Sequence, residues 1–100
     1  MKSITSKELA GLLESNTKIQ LIDVREQPEH EAFNIGGTLI PLPEITKHID
    51  EIEKEIPVIM YCRVGVRSQV AIQRLQSKYS FKNLINLSGG IEAWKKHFAL

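Results

Sequence analysis

Two rhythms of apolar residues alternate along the chain. Ile19-Gln20-Leu21-Ile22-Asp23-Val24 and Pro57-Val58-Ile59-Met60-Tyr61 are apolar at nearly every position, as strands covered on both faces should be. Leu84 to Leu87 reads as the last strand, and Leu39-Ile40 as a brief one closed by Pro41 and Pro43. Between these runs the apolar residues fall at helical spacing. Thr5-Ser6-Lys7-Glu8 forms a capping box ahead of Leu9, Leu12 and Leu13, which predicts a helix from Ser6 to Glu14. Gln27 to Phe33 reads as a short helix, followed by a turn over Asn34 to Thr38 with the pair Gly36-Gly37. Ile45, Ile49, Ile52 and Ile56 predict a helix that Pro57 stops. Val70, Ala71, Leu75 and Tyr79 predict another from Ser68, and Ile91, Trp94 and Phe98 a last one after a tight turn at Gly89-Gly90.

Strands alternating with helices imply an α/β fold, a largely parallel sheet covered on both faces, with ligands beyond the carboxyl ends of the strands. Cys62 lies at such an end. It is followed by Arg63-Val64-Gly65-Val66-Arg67 and, at Ser68, by a helix start. Gly65 permits positive φ, so that successive N–H groups of the loop can turn toward one point, and the helix adds its own free amides. Such a loop favours a thiolate over a thiol and leaves Arg63 and Arg67 free for an anionic substrate. Asp23 and Arg25 mark the C-terminal end of the strand that begins at Ile19.

Composition narrows the field. One hundred residues with 42% hydrophobic content, six glycines and four prolines fit one compact domain over 1–100. A net charge of +1 provides no broad basic field for nucleic acid or membrane. The first residues lack a signal-peptide pattern and no run is long enough to span a bilayer, so a cytoplasmic protein is expected. A single cysteine leaves no internal disulfide and no zinc cluster, and any sulfur bound at Cys62 must pass to an external acceptor.

Three motifs in order are similar to those of the rhodanese homology domain. Leu21-Ile22-Asp23-Val24-Arg25 resembles its opening strand, Tyr61-Cys62-Arg63-Val64-Gly65-Val66-Arg67-Ser68 its active loop, and Leu87-Ser88-Gly89-Gly90-Ile91-Glu92-Ala93-Trp94 its closing motif. The resemblance implies a five-stranded, mainly parallel sheet flanked by helices and a sulfurtransferase that works through a persulfide. Cys62 would accept and donate the sulfur, with the amides of Arg63, Val64, Gly65, Val66 and Arg67 around it. Arg63 and Arg67 would attract thiosulfate or another anionic donor, Ser68 would close the loop with its hydroxyl assisting, and Asp23 and Arg25 would brace the site. A small or protein-borne thiol, or cyanide, would take the sulfur, and no metal or organic cofactor is required. The chain departs from the family's usual Gly-His-Ile-Pro-Gly-Ala at Phe33-Asn34-Ile35-Gly36-Gly37-Thr38.

Two other functions compete. Cysteine-loop phosphatases and arsenate reductases space their pair as Cys-x5-Arg, whereas Cys62 to Arg67 is Cys-x4-Arg, one residue or up to about 3.5 Å shorter. The third reading is a non-catalytic binding or sulfur-carrier module. His30, His48 and His97 lie on polar stretches and read as solvated surface, so no cysteine–histidine dyad is expected.

Overall fold

The computed structural model describes Met1–Leu100. Five strands form one sheet: β1 (Ser3–Ile4), β2 (Gln20–Asp23), β3 (Thr38–Leu39), β4 (Val58–Tyr61) and β5 (Leu84–Leu87). Their order is β1-β5-β4-β2-β3, and every pairing is parallel. Four α-helices accompany them: α1 (Ser6–Glu14), α2 (Gln27–Ala32), α3 (Val66–Lys78) and α4 (Gly90–His97). No helix is long and apolar enough to cross a membrane.

Side-chain alternation along β4 divides the core. Val58, Met60 and Cys62 pack with Ala71, Ile72 and Leu75 of α3, while Ile59 and Tyr61 pack on the opposite face with Leu9 of α1 and Ile91 of α4. All four residues of β4 are buried, which accounts for its uninterrupted apolar run. Thr5 caps α1 as expected, accepting from the Glu8 amide while its own amide donates to the Glu8 carboxylate.

The isoleucine repeat from Ile45 to Ile56 is not an α-helix. It folds as two 3₁₀ turns, Leu42–Lys47 and Ile49–Glu51, followed by irregular chain. Two distant side chains bind the main chain there. The Gln20 amide donates to Glu51 O and accepts from the Glu53 N–H, and the Asn83 amide donates to Glu53 O and Ile56 O. Ile45 and Ile52 still reach the core. α3 starts at Val66, two residues before the expected Ser68, because Gly65 at φ +99° turns the chain into the helix. β1, which the apolar pattern does not announce, is too short at Ser3–Ile4 to show an alternation.

Candidate active site

The parallel register sets Asp23 beside Tyr61 and Met60 beside Asn86, so the carboxyl ends of β2, β4 and β5 converge where the chain leaves β4 at Cys62. The closing motif grips that exit. The N–H of Ile91 donates to Cys62 O at 2.9 Å and that of Glu92 to Arg63 O at 3.0 Å, so the free amides of α4's first turn are spent on the first two carbonyls of the loop. Gly90 permits the approach: a Cβ there would lie 2.4 Å from Cys62 O and 2.6 Å from Arg63 O. The glycine pair expected as a tight turn thus also anchors the loop.

With those carbonyls held outward, donors face the sulfur. The Gly65 N–H reaches Cys62 Sγ at 3.1 Å and the Ser68 N–H at 3.4 Å. The N–H groups of Val66 and Arg67, in the first turn of α3, have no main-chain acceptor. Cys62 itself is only 1% exposed. Any reagent reaching this sulfur has to pass the loop that covers it. Neither surface cavity includes a loop residue; the larger, of about 810 Å³, lies at the other end of the sheet between Lys54, Tyr79 and Phe81.

Asn86, which the sequence reading passed over, locks the loop from β5. Its Nδ2 donates to Gly65 O at 3.4 Å, and its Oδ1 accepts the Ser68 hydroxyl. The Ser68 oxygen lies 3.4 Å from Cys62 Sγ. With its proton directed to Asn86, the Ser68 hydroxyl turns its oxygen toward the sulfur. A signal existed: a polar residue inside Leu84-Ile85-Asn86-Leu87 must find partners when buried.

Asp23 and Arg25 form a buried pair, with Nε to Oδ1 at 3.0 Å and Nη2 to Oδ2 at 2.9 Å. Burial opposes the Arg25 charge, but the Asp23 carboxylate more than offsets it and holds the guanidinium above its ordinary range. Arg25 also donates to Phe33 O at 2.6 Å and lies over the Tyr61 ring, 5.7 Å from its centroid. The Tyr61 hydroxyl donates to Gly36 O at 2.9 Å, and burial, with the nearby Asp23 charge, pushes it up to about 12. Arg25 and Tyr61 therefore tie the divergent segment from Phe33 to Gly36 to the sheet and do not touch the sulfur. His30 departs from its expected place as solvated surface: its Nδ1 is 2.8 Å from Asp23 Oδ2, and it is partly buried. His48 contacts Glu51 on the surface.

The expectation that the two arginines stand free is not met. Arg67 grips Glu29 of α2 through both terminal nitrogens at 2.8 Å, and Arg63 binds Glu92 of α4 at 2.8 and 2.9 Å. Each loop cation faces a carboxylate that the topology brings beside it, Glu29 from 38 residues away and Glu92 from 29. Nothing in the local sequence pairs them. The bidentate Arg67 contact holds the Glu29 carboxyl down to about 2.

The family model described as Rhodanese-like domain matches residues 5–97. The chain belongs to the rhodanese-like domain family. It is 36% identical over 97 residues to the probable adenylyltransferase/sulfurtransferase MoeZ of Mycobacterium tuberculosis, covering 94% of this chain but only 24% of that protein. It is 35% identical over 80 residues to the thiosulfate sulfurtransferase GlpE of Coxiella burnetii, covering 79% of this chain and 74% of that one. Among solved structures, a rhodanese-like domain protein from Staphylococcus aureus superposes with a TM-score of 0.84 at 30% identity, over 94% of this chain and 91% of that one. The rhodanese-like fold agrees with the all-parallel five-stranded sheet.

Proposed function

We propose that this rhodanese-like domain moves a sulfane sulfur from a donor to an acceptor thiol, or to cyanide, through a persulfide on Cys62. The observation that carries the reading is the pair of inward main-chain donors, Gly65 N–H and Ser68 N–H, on Cys62 Sγ. Hydrogen bonds to a charged acceptor are worth about 1.5–3 kcal/mol each, so two fixed donors are placed to hold the negative charge that passes over sulfur during a transfer. The thiolate attacks the outer sulfur of the donor, the leaving group departs with the bonding pair, and the persulfide carries its negative sulfur toward the N–H groups of Val66 and Arg67. An external thiol then attacks that outer sulfur and restores Cys62. Splitting the transfer into two displacements is nucleophilic catalysis.

A phosphatase reading has less support, because Arg67, the residue that would clasp a phosphate, is already bound by Glu29. Steady-state kinetics with varied donor and acceptor test the proposal. Parallel double-reciprocal lines are expected, as for a ping-pong enzyme. Intersecting lines, or hydrolysis of an aryl phosphate in place of sulfur transfer, would overturn it.

A further inference from the structure

We infer that Glu29, seconded by Glu92, is a specificity-determining residue that turns the sulfur site away from dianionic donors such as thiosulfate and toward a sulfane sulfur carried on a thiol. The inference rests on the sulfur-transfer reading of Cys62. Two cations flank the loop, and each already holds a carboxylate. Glu29 is the firmer of the two: its Oε1 accepts both Arg67 Nη1 at 2.8 Å and the Glu26 N–H at 3.1 Å, and its Oε2 accepts Arg67 Nη2 at 2.8 Å. The carboxylate is thereby fixed to the start of α2, and with its acidity shifted to about 2 it stays charged at any pH near neutrality.

An anionic donor can use Arg67 only by displacing this tethered competitor, whose effective concentration beside the guanidinium is far above that of a free ligand. The four side chains sum to zero charge. Around them the loop presents Val64 at 47% and Val66 at 62% exposed, an apolar rim. A dianion entering there gives up hydration without gaining an unpaired cation. A thiol-borne persulfide brings its reactive sulfur to the loop amides and an organic body that Val64 and Val66 can cover.

The step balances without an oxidant. Cys62–S⁻ attacks the outer sulfur of R–S–SH, the new S–S bond gives Cys62–S–SH, and the old S–S bond breaks to release R–S⁻ with its electron pair.

The test is single-turnover sulfur loading followed by intact mass, with thiosulfate and with the persulfide of 2-mercaptoethanol as alternative donors. Wild type is expected to load faster from the persulfide. In Glu29→Gln the ratio of thiosulfate to persulfide rate constants should rise about tenfold, equivalent to about 1.4 kcal/mol. A smaller rise is expected in Glu92→Gln, whose ion pair is exposed. In the double variant Glu29→Gln with Arg67→Gln the ratio should fall back, because the released guanidinium is gone. A ratio cancels any loss of folded protein. An unchanged ratio in Glu29→Gln, or a rise that survives removal of Arg67, overturns the inference while leaving sulfur transfer standing. Failure of both donors to load wild type overturns the two together.

Discussion

The Ser68 hydroxyl donates to Asn86 Oδ1, although its oxygen lies only 3.4 Å from Cys62 Sγ. The direction is set by Asn86, whose Nδ2 is spent on Gly65 O, so that its carbonyl end must face Ser68. One side chain from β5 thus fixes both a loop carbonyl and the orientation of the hydroxyl next to the sulfur. The groups that donate to Cys62 Sγ are then the main-chain amides of Gly65 and Ser68.

Replacing Ser68 with alanine should therefore separate stability from chemistry. The Asn86 carbonyl would be buried without a partner, which costs about 1–3 kcal/mol. Sulfur loading of Cys62 should change by less than about threefold, a difference below about 0.7 kcal/mol. Urea unfolding and single-turnover loading of the same variant read the two effects. A loss of loading of a hundredfold or more in folded protein would make the hydroxyl a proton donor and contradict the assigned direction.

Gly90 and Gly11 form a contrasting pair. Gly90→Ala would drive a Cβ against the carbonyls of Cys62 and Arg63 at a residue with φ +58°, pushing α4 off the loop. A loss of at least about 2 kcal/mol is expected, from overpacking and backbone strain together. Gly11 lies within α1 with nothing within 4 Å of its added Cβ, and Gly11→Ala should stabilise by up to about 1 kcal/mol. Thermal denaturation of both variants decides, and a tolerated Gly90→Ala would mean that α4 does not hold the loop.

The Arg67–Glu29 pair predicts an acid-labile increment of stability. Because the Arg67 contact lowers the Glu29 carboxyl from 4.5 to about 2, the pair contributes fully above the ordinary value and loses its contribution as pH falls between those two points. Its partial exposure limits the increment to about 1 kcal/mol. The unfolding free energy of wild type minus that of Glu29→Gln should be positive at pH 6 and should shrink toward zero near pH 2. A difference that does not vary with pH would show that the pair contributes nothing.

Features carried by neighbours in sequence were legible before the structure: the capping box at Thr5 and Glu8, the two-sided strand at Val58–Tyr61, and the Cys62-to-Ser68 loop with its glycine. Each is set by contacts a few residues apart or by simple alternation. The isoleucine repeat misled, because Gln20 and Asn83, more than 25 residues away along the chain, bind the main chain that a helix would have used for itself. The same holds at the site. Arg63 and Arg67 read as free cations until the fold brought Glu92 and Glu29 to them, and His30 read as surface until α2 turned it onto Asp23. Asn86 alone among the missed residues carried a local mark, a polar side chain in an apolar strand.

Cys62 is the only cysteine in the chain, so intact mass reads its chemistry directly. Protein incubated with thiosulfate or with a small-molecule persulfide and then desalted should gain the mass of one sulfur atom from at least one of them, and a thiol should remove it. Cys62→Ser should gain nothing. No added sulfur in wild type from either donor, or the same gain in Cys62→Ser, would contradict persulfide transfer at this site.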